Sequence, residues 1–339
     1  MKLIIQIPCL NEEKMVGETI RSTPRHFDGV DEVEILVIDD GSTDRTVEVA
    51  REAGADHILS FTKNKGLSAA FAAGLDQAVK LGADVIVHMD ADGQHRPESI
   101  PDLIKPILAH RADMVVGVRD IEAIEDDSWI KKKLERLGSW VARRVSSTDI
   151  SDTVCGFRAY SREAAMRLHV FTGYTYTLET IIQAGRSNMA IREVPVKVNP
   201  RSRESRVVGS ILRYIWKQMQ TMFRIYVVYR PLRFFATVGA VFFGAGVLLG
   251  LRYLYLYFVA HSVGHIQSLL LAAVLMLIGF QVFIAGVQAD LIAANRRLQE
   301  DNQYKIRVIE NMIMRLGEDT NEIGTQRLIK HLLERTRGA

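Results

Sequence analysis

Through the first 120 residues, short apolar runs alternate with stretches whose apolar positions recur every three or four residues. Leu3–Ile7, Glu34–Ile38, His57–Phe61, Asp84–Met89 and Asp113–Val118 read as strands. Between them, Glu12–Ser22, Thr43–Ala53, Leu67–Leu81 and Glu98–His110 read as helices. Such alternation predicts βαβ units and an α/β fold, with a mostly parallel sheet covered by helices on both faces. Its crossovers are expected to be right-handed, and its ligands to bind outside the carboxyl ends of the strands. The opening run Met1–Leu10 belongs to this pattern. Pro8 interrupts it and Asn11-Glu12-Glu13 follows with no small-residue cleavage site, so it reads as a first strand. Further on, a helix is expected from about Ser161, another over Tyr176–Ser187, and a strand over Ile191–Val198.

The pattern then changes. From Phe234 to Leu251 and again from Tyr253 to Ala289 there is no Asp, Glu, Lys or Arg. A membrane-crossing helix needs about 20 mostly apolar residues, and two spans fit, near 234–259 and 268–289, joined by a polar hairpin at Ala260–Gln267. Arg224, Arg230 and Arg233 precede the first span, Arg296 and Arg297 follow the second, and the hairpin holds neither Lys nor Arg. The positive-inside rule places both ends in the cytosol. Arg252, about 27 Å along the first helix, is expected to snorkel to the far interface beside Tyr253, Tyr255 and Tyr257. Val207–Tyr229 carries Ile211, Ile215, Met219, Met222, Phe223 and Tyr226 against Arg213, Lys217 and Arg224, as a helix lying on the membrane surface would. The expected divisions are a cytosolic head at 1–206, an interface helix at 207–231, a two-helix hairpin at 232–290 and cytosolic helices at 291–339, within them Leu291–Leu316 and Gln326–Arg335.

Composition adds little to this picture. The 339 residues suffice for a full core, and a net charge of +3 favours no partner class. Two distant cysteines, Cys9 and Cys155, suggest neither a zinc site nor a disulfide framework. Basic stretches lie beside membrane-surface patterns, and no nucleic-acid-binding module is visible.

Candidate chemistry gathers at the strand ends. Asp90-Ala91-Asp92-Gly93-Gln94 closes the run Asp84–Met89. Side chains at i and i+2 share a face of a strand, so Asp90 and Asp92 can converge on one hard cation, although an acidic turn has the same composition. Mg²⁺ commonly takes one or two carboxylates and completes its shell with substrate phosphates. Pro8-Cys9-Leu10-Asn11-Glu12, Asp39-Asp40-Gly41-Ser42 and Gly117-Val118-Arg119 end other strands and would face the same edge. Lys63-Asn64-Lys65-Gly66 opens a helix rich in small residues, where backbone can approach a phosphate closely. A basic amphipathic helix is expected over 129–146, with Lys131, Lys132, Lys133, Arg136, Arg143 and Arg144 around an apolar stripe. Four arginines occupy Asn199–Arg206.

In this order and spacing, Ile-Pro-Cys-Leu-Asn-Glu, Ile38–Ser42, Asn64-Lys65-Gly66, Asp90–Gln94 and Asp152–Arg158 resemble family-2 glycosyltransferases of the Rossmann-like GT-A fold. More narrowly, the chain is similar to polyprenyl-phosphate glycosyltransferases, including dolichol-phosphate mannose synthases and undecaprenyl-phosphate sugar transferases. The catalytic resemblance covers roughly 1–206, and the tail resembles that of the membrane-anchored members. It implies that Pro8, Asn11, Glu12, Asp39, Asp40 and Gly66 line a nucleotide-sugar pocket with Asp90, and that Asp90, Asp92 and Gln94 hold Mg²⁺ or Mn²⁺. It further implies that Arg119, Lys132, Arg136, Arg203 and Arg206 approach a lipid phosphate, and that Asp92, Asp152 and Arg119 serve the reaction directly. A homo-oligomer, with a tetramer favoured, is part of the same implication. The sequence departs from many mannose synthases at Gly93-Gln94-His95 and at Asn199–Arg206, so the resemblance does not carry the sugar.

The chemistry agrees with a phosphate acceptor. Its oxygen is largely ionised near neutral pH, with a second pKa near 6, so no strong general base is required and no Ser-His-Asp arrangement is evident. Two anionic substrates need cationic help: arginines on the acceptor side, a metal on the donor side. Single displacement would invert the anomeric centre. A hydroxyl acceptor such as diacylglycerol would need a base. A processive synthase would carry a Gln-x-x-Arg-Trp pattern, which is missing, and a nonenzymatic scaffold would have no use for an intact Asp90/Asp92 pair.

Overall fold

The computed structural model describes residues 1–119, 150, 152, 153, 155–170, 176–199, 220, 223, 224, 226–259 and 266–336, with side chains through Ile313. The expected basic helix at 129–146, the arginine loop beyond Asn199 and most of the expected interface helix lie outside these residues. Two compact units are present: Met1–Arg206 together with Glu300–Ala339, and Val207–Gln299.

The first unit is built on strands β1 (Lys2–Cys9), β2 (Glu32–Asp39), β3 (His57–Ser60), β4 (Val85–His88), β5 (Met114–Val118), β6 (Arg158–Ser161) and β7 (Ile191–Pro195). They form one sheet in the order β3-β2-β1-β4-β6-β5-β7. Every pairing is parallel except the two that β6 makes, with β4 and β5. The sheet is therefore mostly parallel, as the alternating pattern predicts. β6 is a correction, because Arg158–Ser161 carries no apolar run and opens on a buried arginine. Pro8 is tolerated in a central strand because the pairing of β1 with β4 ends at Gln6, leaving no partner for the missing N–H on that side.

Helices α1 (Val16–Ser22), α2 (Thr46–Glu52) and α4 (Ile100–Leu108) share one apolar core with the sheet, through Val16, Ile20, Ala50, Leu103 and Ile107. Helices α3 (Leu67–Lys80), α5 (Arg162–Arg167) and α6 (Tyr176–Arg186) share the core of the other face, through Phe71, Leu75, Ala164 and Ile181. A 3₁₀ turn at Pro97–Ser99 leads into α4. Ser161 caps α5, its Oγ accepting from the Ala164 N–H at 3.1 Å. With both faces covered, the strands can be apolar throughout, and the loops at their carboxyl ends are left to carry function.

In the second unit, α7 (Pro231–Phe258) and the first part of α8 (Ile266–Thr336) are, among the described residues, the two helices long and apolar enough to cross a membrane. Their backbones approach through glycine: a Cβ on Gly279 would lie 2.6 Å from the Phe243 nitrogen, and one on Gly246 2.8 Å from the Ala272 oxygen. Small residues at a helix crossing are the usual means of close packing in lipid. α8 continues without a break through the region where two separate helices were expected.

Within the first unit, the later part of α8 lies on α3 and α5. Arg307 donates to the carbonyls of Ala165, Met166 and Leu168, and Asn311 bridges the Arg162 guanidinium and the Val79 carbonyl.

Candidate active site

The strand-end motifs meet at the carboxyl edge of the sheet. Asn11 follows β1 in the left-handed region, at φ 54°. Its N–H donates to Ser42 Oγ at 2.9 Å and its Oδ1 accepts from the Thr43 N–H at 2.8 Å, which ties the β1 end to the β2 end. Glu12 extends this joint: its N–H donates to Thr46 Oγ1, and its carbonyl accepts from the N–H groups of Met15 and Val16 at the start of α1.

Asp39 and Asp40 are both buried, each 4 % exposed. Asp39 Oδ1 accepts from the Ser42 N–H, whereas both Asp40 oxygens turn to the next loop and accept from the N–H groups of Lys65 and Gly66, at 2.7 and 2.9 Å. Asp40 therefore fixes the loop that opens α3. Gly41 makes this possible: at φ 75°, a Cβ on it would lie 2.6 Å from the Lys63 carbonyl carbon. Gly66 precedes α3 at φ 92° with open space about its missing side chain.

After β4 the chain turns through Asp90 and Asp92. Gly93, at φ 70°, sits against the Met15 methyl, and the Ala91 carbonyl accepts from Thr19 Oγ1 at 3.2 Å. On the other side, Asn199 holds the turn through the carbonyls of Gly93 and Gln94. Asp92 Oδ1 accepts from the Gln94 N–H at 3.0 Å and Oδ2 from the Gln94 amide at 2.6 Å. Asp90 Oδ2 lies 3.3 Å from His95 Nε2, and Oδ1 lies 3.7 Å from His88 Nε2. Burial pushes the Asp90 carboxyl up, but the two histidines outweigh it and hold the group well below the usual carboxylate range. The Asp92 carboxyl is raised, by burial and then by the neighbouring charge of Asp90.

A divalent cation fits this donor set. Two close carboxylates, one of them destabilised by the other, offer hard oxygen ligands and a repulsion that positive charge would relieve. Among the described residues no group of three or more His, Cys, Asp or Glu is gathered for a metal, so further ligands would come from Gln94, water and substrate phosphate. The Gln94 amide now donates to Asp92, and it would have to turn its oxygen toward a cation to join the set.

The β5 end adds a buried ion pair. Arg119 places Nε 2.8 Å from Asp152 Oδ2 and Nη2 3.1 Å from Oδ1, a two-pronged contact. Burial raises the Asp152 carboxyl, and the hydrogen bond and charge of Arg119 more than offset this, leaving it lowered. Asp152 Oδ1 also accepts from the Cys155 N–H. Cys155 itself is inert as a nucleophile: burial pushes its thiol up to about 11.

Of the residues predicted from sequence, Pro8, Asn11, Glu12, Asp39, Asp40, Gly66, Asp90, Asp92, Gln94, Arg119 and Asp152 lie at or just beyond this edge. Asp40 and Arg119 are each engaged with protein groups, which sequence spacing did not predict. Lys132, Arg136, Arg203 and Arg206 lie outside the described residues. Arg158 was overlooked. Fully buried, it donates to the carbonyls of Thr153, Cys155 and Thr177 and to Thr180 Oγ1, pinning the loop that carries Asp152 to the start of α6. His95 proves to face Asp90, and His88 to be wholly buried.

Comparison with known proteins agrees with this geometry. The model of glycosyl transferase family 2 matches residues 4–168. An undecaprenyl-phosphate mannosyltransferase of Micrococcus luteus is 30% identical over 223 residues, covering 62% of this chain and 90% of its own. A dodecaprenyl-phosphate galacturonate synthase of Rhizobium johnstonii is 26% identical over 311 residues, covering 86% of this chain and 88% of its own. Among solved structures, a Mycobacterium tuberculosis glucosyl-3-phosphoglycerate synthase in complex with Mn²⁺, UDP and phosphoglyceric acid superposes with a TM-score of 0.51 at 22% identity, covering 65% of this chain and 78% of its own. The GT-A fold, the strand-end acidic motifs and these relatives lead to one assignment: the chain is a glycosyltransferase and belongs to glycosyl transferase family 2.

Proposed function

We propose that this enzyme transfers a hexose from a nucleotide diphosphate sugar to polyprenyl phosphate at the cytosolic face of a membrane, with inversion at the anomeric carbon. The observation that carries this reading is the Asp90/Asp92 pair at the end of β4, on the edge where Asn11, Asp39 and the Gly66 loop meet. The relatives support the acceptor: they are named for undecaprenyl and dodecaprenyl phosphates, and the second match runs through the apolar tail. Their sugars differ, mannose in one name and galacturonate in the other, so the acceptor class is the common element.

The residues divide by role. Pro8, Asn11, Glu12 and Asp39 line the nucleotide side, with Asp40 shaping the loop that ends at Gly66. Asp90, Asp92 and Gln94 would hold Mg²⁺ or Mn²⁺, which would neutralise charge on the leaving diphosphate. On the acceptor side, Arg119 presents a guanidinium whose position is set by Asp152, and Lys132, Arg136, Arg203 and Arg206 gather the lipid phosphate. The attacking phosphate oxygen is already ionised, so no side chain has to remove a proton.

A membrane assay with polyprenyl phosphate, a panel of UDP- and GDP-sugars and Mg²⁺ or Mn²⁺ tests this. A polyprenyl-phospho-sugar should form with one donor and be lost on chelation. Asp92→Ala should lower turnover by about a hundredfold or more; unchanged turnover with a defined donor would remove the metal assignment.

A further inference from the structure

Polar side chains form a row across the middle of the sheet. The register sets Gln6 beside His88 and His88 beside Arg158, so the three share one face. None is exposed to solvent. On that face Phe71 meets the His88 ring edge-on at 5.0 Å and stacks on Tyr176 at 4.3 Å. Buried polar groups cost stability unless bonded, and an apolar row would serve this sheet at least as well. Their presence calls for a use at the strand end above them.

The hydrogen bonds show which way the row points. In this arrangement the Gln6 amide nitrogen donates to His88 Nδ1 at 3.0 Å, while Gln6 Oε1 is buried with no hydrogen-bond partner among the described residues. The His88 proton is therefore on Nε2, which donates to the Tyr176 hydroxyl at 2.9 Å; Asp90 Oδ1 lies 3.7 Å from the same nitrogen, an electrostatic contact beyond hydrogen-bond reach. His95 Nε2 approaches the other oxygen of the same carboxylate, its ring stacked on Phe157 at a centroid distance of 4.8 Å. The Tyr176 hydroxyl and Asp90 Oδ2 both border Gly156, where a Cβ would lie 2.8 Å from one and 3.2 Å from the other.

We propose that His88 is a positioning residue for the donor-side cation: with its Nε2–H anchored on the Tyr176 hydroxyl and its tautomer fixed by Gln6, the ring holds a positive edge 3.7 Å from Asp90 Oδ1 and so sets the carboxylate electrostatically. This rests on the cation role proposed above for Asp90. Outer groups that orient a metal ligand typically cost roughly 10–100-fold in affinity when lost.

The test is Mn²⁺ binding to the full chain in detergent, read from the free-ion EPR signal with UDP and with GDP present. His88→Gln keeps an N–H near the position of Nε2, whereas His88→Asn is too short to reach Asp90. Both lose the ring that packs on Phe71, so their thermal midpoints should fall together. Mn²⁺ affinity should separate them, with His88→Asn weakened about tenfold and His88→Gln within about threefold of wild type. Gln6→Met, which leaves the histidine in place and removes its tautomer lock, should weaken binding about threefold. If it is the one variant that folds, unchanged affinity in it overturns the proposal. Equal losses in the two His88 variants that follow their loss of stability also overturn it. Asp92→Ala in the same titration keeps the two ideas apart. If it weakens Mn²⁺ binding and His88→Asn does not, only the role of His88 fails; if it has no effect, the cation assignment fails and takes this role with it.

Discussion

Arg119 and Asp152 form a two-pronged ion pair at the end of β5. Asp152 is 2 % exposed, and both its oxygens face the guanidinium, which is itself 18 % exposed. Removing the arginine takes a two-pronged cationic partner from a buried carboxylate, so Arg119→Ala should cost about 3 kcal/mol in unfolding free energy near neutral pH. Arg119→Lys keeps the charge and loses the two-pronged geometry, and should fall between that variant and wild type. The pH dependence has a definite sign. Because the folded Asp152 carboxyl is lowered, its stabilising contribution is present above the ordinary carboxylate value of about 4 and is lost as pH falls through the folded value. The stability gap between Arg119→Ala and wild type should therefore narrow as pH is taken below about 4. Chemical denaturation at pH 7 and pH 3 would show it, and a gap independent of pH would mean that the pair is not the source of the loss.

Among the elements, those that rest on uninterrupted apolar runs were legible in the sequence. Strands β1, β2, β4 and β5 appear where Ile, Val and Leu cluster, and their carboxyl ends carry the motifs that the pattern placed there. β6 was not legible, because four residues opening on an arginine have no strand period; the surrounding carbonyls and Thr180 make a buried Arg158 acceptable. The roles of Asp40 and Gln94 were hidden for a related reason: spacing locates an acidic residue but does not say whether a backbone N–H or a ligand will occupy it. In the tail the sequence marks polar helices without saying what they meet, and Arg307 and Asn311 bind carbonyls on α5 and α3. The three contacts of Arg307 are long, at 3.3 to 3.5 Å, with Asp76 at 3.9 Å. Arg307→Ala should thus cost about 1.5 kcal/mol, at the lower end for bonds to a charged donor. For a unit of this size the thermal midpoint would drop by about 3–6 °C. A midpoint unchanged in a differential scanning experiment would show that this part of α8 adds nothing to the stability of the head.

For the whole molecule, the ordering of charge along the chain has a consequence that can be read from either side of a membrane. α7 and α8 are each long and apolar enough to span, and the arginines lie before the first and after the second, at Arg224, Arg230, Arg233, Arg296 and Arg297. Moving those charges across a bilayer is costly, and the segment at 260–265 carries neither Lys nor Arg to oppose its transfer. That segment is expected on the far side, with the N-terminal domain and the C-terminus both cytosolic, where nucleotide sugars are available. Cys9 and Cys155 are buried, so single cysteines can be introduced as reporters without interference from native thiols. Ser262→Cys should react with a membrane-impermeant maleimide in intact cells. Ser60→Cys, at the exposed end of β3, should react only after the membrane is opened. Labelling of both from outside, or of neither, would overturn the two-span topology. It would leave the strand-end carboxylates and the family assignment untouched, because those rest on the head alone.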